Sequence, residues 1–321
     1  MADYRAIKGL YIQNVSSDPS NLVAGDIWYN STLGKLRGAK AAAGAWASGG
    51  NMNTARSHAG GAGDKTAAVI AGDANVSADK IKTETYDGSS WTNANDLNST
   101  KEEAGSAGSS TSAGVFGGGS ANSETWDGTN WTETANLSAS KYGIAGGGAN
   151  AEAMIAIGGG DPVTANCEQF DGSSWTEVAN INSADQYKFG QMGPSTACLG
   201  AGGYNGPGVH GRVEEWDNTS WTEIADLNTG RRTGVSAGTT TLALVYGGTS
   251  GGAVDNVESW DGSSWTEVAD LSTARYASSQ GQGVGYAPTA LCSGGDTTPG
   301  KVATTEEWSG APIQAANWDT T

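Results

Sequence analysis

Histidine is scarce in this sequence: His58 and His210 are the whole complement in 321 residues. They stand in different segments, and neither has a ligand partner at metal-binding spacing, so no metal site and no cofactor are expected. The three cysteines, Cys167, Cys198 and Cys292, have no metal spacing and cannot all pair. Cys198 and Cys292 occupy apolar stretches just before a glycine pair, where sister segments carry Val, Ile, Leu or Phe. They are expected to be buried free thiols acting as small hydrophobes. Carboxylates are abundant, and Glu84, Glu124, Glu168, Glu214, Glu258 and Glu306 recur once per segment. Glycoside hydrolysis needs two carboxylates in unlike surroundings. A glutamate present in every segment reads instead as a structural group, bonded to nearby backbone or to a basic residue. Asp-Gly pairs such as Asp87-Gly88 and Asp261-Gly262 read as tight hairpin turns. Calcium held by such isolated single carboxylates would be weakly bound.

The elements that position these residues repeat. WTEVANINSAD at Trp175 returns as WTEIADLNTGR at Trp221 and WTEVADLSTAR at Trp265, with diverged copies at Trp91 and Trp131. Counting Trp46 as the first, the spacings are 45, 40, 44, 46 and 44. A period in the forties made of short apolar runs and glycine turns indicates four-stranded propeller blades.

Each segment divides into strands. Ten residues after the tryptophan comes Arg56, Lys101, Lys141, Asp185, Arg231 or Arg275. A Gly/Ala-rich stretch follows, holding Gly63, Gly108, Gly148, Gly193, Gly238 and Gly283; it is expected to be the innermost strand, where small residues let neighbouring backbones approach. Continuous apolar runs such as AAVIAG and LALVYGG indicate a strand covered on both faces. Then come a variable loop, the Glu-x-aromatic strand, the Asp-Gly turn and the outer tryptophan strand.

The glycine pair, the aromatic before a turn, the tryptophan and the basic residue ten further on resemble kelch repeats from Trp46 to about Trp308. The departures are Ala71-Gly72-Asp73 in place of a full glycine pair, and Asp185 at the basic position. The resemblance implies an all-β, six-bladed kelch-like propeller. Glu306-Glu307-Trp308 has no tryptophan strand after it, whereas Trp46 through Arg56 matches Trp265 through Arg275 position for position. The N-terminal strand is therefore expected to close the last blade, removing an exposed edge. Kelch-like propellers include copper oxidases of the galactose-oxidase type, but the clustered Tyr, Cys and His that such chemistry needs are missing. The TYDGSSW turns are similar to sialidase Asp boxes, with Asp and Gly adjacent here rather than separated by one residue.

The domain reading is an N-terminal β arm at 1–38, the propeller at 39–310 and a short tail at 311–321, in which Trp318 packs under the ring. In the arm, GLYIQNV reads as a strand and GDIWYNSTLGKLRG as a hairpin around Thr32-Leu33-Gly34. That hairpin, through Gly25, Asp26, Trp28, Tyr29, Asn30, Thr32, Gly34 and Leu36, resembles a motif of bacteriophage tail-fibre and other virion proteins. The DGSSWT and WASGGNMNTAR wording is similar to marine (cyanophage-like) virion structural proteins. The resemblance implies attachment to other virion proteins through Trp28, Tyr29, Asn30 and Leu36, and a place in the phage particle, assembled in the host cytoplasm. The alternative for the arm is a hairpin packed on its own propeller.

The 34 acidic and 17 basic residues give a net charge of −17, a surface that repels phosphate backbones and anionic lipid, so no nucleic-acid or membrane partner is expected. No run of 18 apolar residues exists, and the MADYRAIKGL start carries no secretory signal. What remains is binding, carried by a host-surface glycan or protein contact, with a homo-oligomer also compatible. The candidate ligand residues are Tyr204, Asn205, His210, Arg212, Arg231, Arg232 and Asp161, on the least uniform loops, which are either recognition loops or solvated connectors. The expected function is a non-enzymatic virion structural protein, in a tail fibre or capsid decoration. Alternatives are a bacterial kelch-type or lectin-like interaction protein and a carbohydrate-active propeller enzyme.

Overall fold

The computed structural model describes residues 4–5, 11–19, 26–41, 44–73, 79–160, 162–185, 189–277, 279–281, 289–298, 300–310 and 313–317. The chain is all-β and separates into two compact units, Trp46–Trp308 and a smaller one made of Met1–Ala45 with Ser309–Thr321.

The larger unit holds six four-stranded sheets among the described residues. The first is β6 (Gly60–Asp64), β7 (Ala67–Ala71), β8 (Thr83–Tyr86) and β9 (Trp91–Asn93), antiparallel throughout. Four more follow in the same pattern: β10–β13 from Gly105 to Thr134, β14–β17 from Ala145 to Val178, β18–β21 from Phe189 to Ile224 and β22–β25 from Val235 to Glu267. The sixth is discontinuous in sequence. Its strands β26 (Ser279–Gly281), β27 (Leu291–Ser293) and β28 (Thr305–Ser309) are completed by β5 (Ala45–Ser48). Beside β28, Gly49 N donates to Thr305 O at 2.9 Å and Met52 N to Ala303 O at 2.8 Å.

Hydrophobic burial follows from the strand pattern. The second strand of each sheet is apolar almost throughout and buried, as continuous runs require when neighbours cover both faces. Six apolar clusters result, each shared by two successive sheets; one joins Met52 and Leu291 of the sixth to Ile70, Tyr86 and Trp91 of the first. Within each sheet an aromatic of the third strand meets the tryptophan of the fourth. Ring centroids are 4.9 Å apart for Tyr86–Trp91, 5.3 Å for Trp216–Trp221 and 5.3 Å for Trp46–Trp308. Each buried ring contributes about 2–3 kcal/mol.

The inner-strand glycines serve a purpose beyond the expected one. Gly108 has φ +112°, and a Cβ there would lie 2.2 Å from Ser112 O on the next strand of its own sheet. Gly63, Gly148, Gly193 and Gly238 repeat this arrangement. That crowding is at the inner hairpin, between strands one and two; close approach between sheets occurs as well, since a Cβ on Gly146 would lie 2.1 Å from Ser106 O of the neighbouring inner strand. Gly283 lies outside the described residues.

The smaller unit is a five-stranded sheet in the order β1 (Tyr4–Arg5), β2 (Tyr11–Val15), β3 (Ile27–Asn30), β4 (Lys35–Ala41) and β29 (Ile313–Asn317). β2 and β3 run parallel, β3 and β4 form the expected hairpin, and β29 pairs antiparallel with β4. The C-terminal segment is thus a strand of the arm's sheet rather than a separate tail; Trp318 lies outside the described residues.

Candidate functional site

The repeated glutamates come first, because their surroundings decide whether they are available for chemistry. Each lies on the third strand of a sheet and is at most 3% exposed. Each accepts, on Oε2, the backbone N–H of a residue in the segment entering that sheet: Asn53, Asn98, Ser138, Asn182, Asn228 and Ser272, all at 2.7–2.8 Å. Where that residue is asparagine, its Nδ2 donates to the same oxygen, as Asn182 does at 2.7 Å. The other oxygen takes the basic residue: Arg56 on Glu84 at 2.6 Å, Lys141 on Glu168 at 3.2 Å, Arg231 on Glu258 at 3.0 Å and Arg275 on Glu306 at 2.7 Å. Glu124 instead receives Ser99 N and Oγ, at 2.9 and 2.6 Å, while Lys101 Nζ donates to Asn122 O at 2.6 Å. Burial pushes the Lys101 ammonium down to about 8, against the opposing pull of Glu124. The glutamates are latches between a sheet and the segment leading into it.

The fourth latch differs. Asp185 stands where the others have Lys or Arg and is buried, and His210 Nε2 lies 2.5 Å from its Oδ1. His210 therefore has a carboxylate hydrogen-bond partner, which the sequence reading did not name. The spacing of 25 residues hid it, because the pair forms between the entry segment and the loop joining β19 (Cys198–Ala201) to β20 (Val213–Trp216).

Arg231 is a correction. It is fully buried against Glu258 and cannot touch a ligand from solution. The other candidates gather around one loop. Gly202 N donates to Arg212 O at 2.8 Å, His210 N to Gly203 O at 3.2 Å and Gly203 N to Arg231 O at 3.0 Å. Asn205 Oδ1 accepts Gly208 N at 3.3 Å, closing the loop's turn, and the Arg232 guanidinium sits 4.7 Å over the Tyr204 ring. Asp161 lies outside the described residues.

Two residues after the basic position the chain takes a left-handed turn, with φ of 53–56° at His58, Glu103, Gly143, Thr233 and Ala277. These turns bond from sheet to sheet: His58 N to Ala277 O at 2.8 Å, and Gly143 N to Glu103 O at 3.1 Å. His58 stands between Glu103 and Asp296, at 3.8 and 3.9 Å. Burial lowers its basicity, and those carboxylates oppose the shift. Among the described residues no group of three His, Cys, Asp or Glu side chains is arranged to hold a metal. Cys167, Cys198 and Cys292 are free and buried, and burial pushes the Cys167 thiol up to about 11 and Cys198 higher.

In the smaller unit the hairpin motif is built around Asp18. Its Oδ1 accepts Trp28 Nε1 and Asn30 Nδ2, both at 2.9 Å, and its Oδ2 accepts Arg37 at 2.8 Å. Asn30 Oδ1 in turn accepts Thr32 N and Leu33 N, shaping the turn. Trp28 and Asn30 are buried, which corrects their assignment as attachment surface: they build the sheet. Tyr29 and Leu33 point outward, at 38% and 52% exposed, and Leu36 is half-buried. Asp18 lies outside the motif, so spacing alone did not reveal it.

No protein-family model and no curated protein matches the sequence. Among solved structures, one titled "Structure of YjhT" is similar in fold, with a TM-score of 0.64 over 82% of this chain and 99% of that one, at 14% identity. Identity that low speaks to the propeller-like all-β fold and to nothing finer.

Proposed function

We propose that this chain is a non-enzymatic structural protein of a bacteriophage virion, in a tail fibre or capsid decoration. In this reading a closed six-bladed kelch-like propeller presents its loops to a host-surface glycan or protein, and the five-stranded sheet joins it to neighbouring virion proteins. The observation that carries the display reading is the commitment of all six repeated glutamates to structural latches. The repeated carboxylates are thus occupied by the framework, whereas most of the candidate ligand residues collect around the loop from Tyr204 to Arg212.

Closure of the ring is supported by bonds between the sixth and first sheets. Trp91 Nε1 donates to Thr305 Oγ1 at 3.1 Å, Tyr86 OH bonds Glu307, and Lys301 Nζ meets Asp73 at 2.6 Å. Deleting residues 1–53 removes β5 and is expected to give insoluble or oligomeric protein. A soluble, cooperatively melting monomer after that deletion would count against closure.

The virion assignment is tested by mass spectrometry of density-purified particles. Enrichment in particles over lysate is expected, and detection in lysate alone would overturn it. A second reading, a lectin-like interaction protein of a bacterium, is favoured by the Arg232–Tyr204 stack on the same loop face; glycan-array binding without any particle association would select it.

A further inference from the structure

The fourth latch brings a carboxylate where its counterparts bring a cation, and the loop that compensates carries polar atoms with nothing to bond. His210 Nε2 is fixed on buried Asp185, and its Nδ1 is buried without a hydrogen-bond partner. Two residues on, Nε and Nη2 of Arg212 are in the same condition. Buried N–H groups almost always find an acceptor, because leaving one unpaired forfeits its hydration without return. Nε of Arg56 and Nε and Nη1 of Arg231 also lack hydrogen bonds, but those side chains have charged partners, whereas Arg212 has no ion pair among the described residues. Arg56, Lys141, Arg231 and Arg275 lie on glutamates, Lys101 on a carbonyl, and Lys80, Lys82 and Lys301 on Glu102, Asp96 and Asp73. In a chain of net charge −17, partnerless guanidinium nitrogens point to an anion supplied from outside.

We propose that the loop from Tyr204 to Arg212 is a subsite for the carboxylate of an acidic saccharide. The Arg212 fork matches a carboxylate in shape and charge. With Nε2–H donating to Asp185, the His210 ring offers Nδ1 as an acceptor for a sugar hydroxyl. Tyr204, already stacked under Arg232, adds an aromatic face beside them. The nitrogens are closed over in the free protein, and at Gly206 and Gly208 a side chain would meet nothing within 4 Å, so that is where the loop can yield. A host surface as the source of the saccharide rests on the function proposed above; the binding itself does not.

The test is calorimetric titration of the full-length chain with oligogalacturonate, a neutral maltooligosaccharide and inorganic phosphate in parallel. Saturable binding of the uronate alone is expected, weakened roughly tenfold or more in Arg212→Gln, as loss of a charge-assisted pair requires. His210→Asn and Tyr204→Ala should weaken it too, while Lys82→Gln leaves it unchanged. Melting curves identify any variant that fails to fold, and the remaining variants then decide. Overturning results are no uronate binding, equal binding of the neutral sugar, phosphate binding as tight as the uronate, or unchanged affinity in the folded variants. Uronate binding by a protein absent from particles would sink the virion function and leave the subsite standing.

Discussion

Removing the Glu84 side chain should be among the most damaging single changes in the larger unit. Its Oε1 meets Arg56 at 2.6 Å and Thr54 N at 3.3 Å, and its Oε2 accepts Asn53 N at 2.7 Å and Asn53 Nδ2 at 3.0 Å. Both charged side chains are 1% exposed, so solvent cannot take over either role. Glu84→Ala removes the counter-ion of a buried guanidinium, leaving it only the Lys82 and Gly72 carbonyls, which costs about 3–5 kcal/mol. It also leaves backbone donors unpaired, adding roughly 1 kcal/mol or more. The total approaches the whole stability of a typical domain, about 5–15 kcal/mol. Replacing the pair together, Glu84→Leu with Arg56→Met, should cost less than the sum of the single changes, with a coupling of at least about 2 kcal/mol. Glu124→Ala offers an internal comparison, since Lys101 bonds the Asn122 carbonyl there and not the glutamate, and it should cost about 1–2 kcal/mol less than Glu84→Ala. The assay is urea unfolding at pH 7 followed by tryptophan fluorescence, with exposed Glu133→Ala as control. A Glu84→Ala loss no larger than that of Glu133→Ala, or a cycle without coupling, would refute the latch argument.

Lys101→Met should raise stability at pH 7 by roughly 1–2 kcal/mol, since burial disfavours the charged ammonium. Because the folded-state value, about 8, lies below the usual 10.5, the unfolded chain binds more protons between those values. Wild-type stability should therefore climb over that interval relative to the variant, as pH-dependent melts would show. The turn carboxylates Asp87, Asp171 and Asp261 are held down at about 2, first by Ser89, Ser173 and Ser263 hydroxyls and then by backbone N–H groups. Their contribution is present above pH 4 and lost as pH falls through 2, so carboxyl NMR titration should place these three below the remaining exposed aspartates. Gly108→Ala, at φ +112° with a backbone oxygen 2.2 Å from the new Cβ, should cost about 3 kcal/mol. Gly208→Ala, in open space, should be close to neutral in the same melts. Asp18→Ala should speed exchange of the Trp28 indole proton and loosen the smaller unit while leaving the melting of the larger one unchanged.

The tryptophan period located the outer strands because a large aromatic tolerates few substitutions where it packs on the aromatic of the preceding strand. Trp46 was legible as the partner of Trp308 for the same reason, even across most of the chain. The glutamate role was legible in outline, since a group repeated in every unit serves the framework. Backbone and a basic residue were the expected partners, but which backbone N–H groups would serve was not legible, because those of Asn53 or Ser138 belong to every residue type and leave no mark in sequence. The Asp185 departure was visible, but not its compensation by His210, which depends on where an irregular loop returns. Asp18 and β29 were missed for a related reason. One carboxylate gathers three donors from beyond its own motif, and a short C-terminal strand finds its partner near the other end of the chain.

The discontinuous sixth sheet has a consequence for how the protein is made. β5 leaves the ribosome before any strand it will pair with, and β4 likewise precedes β29 by almost the entire chain. The intervening sheets can form in order during synthesis. The edges of β5 and β4, however, stay unpaired until β28 and β29 have emerged. A prematurely terminated product would thus carry two open edges instead of one missing tail. Chains truncated before β28 and β29 are expected to associate more readily than chains that contain them.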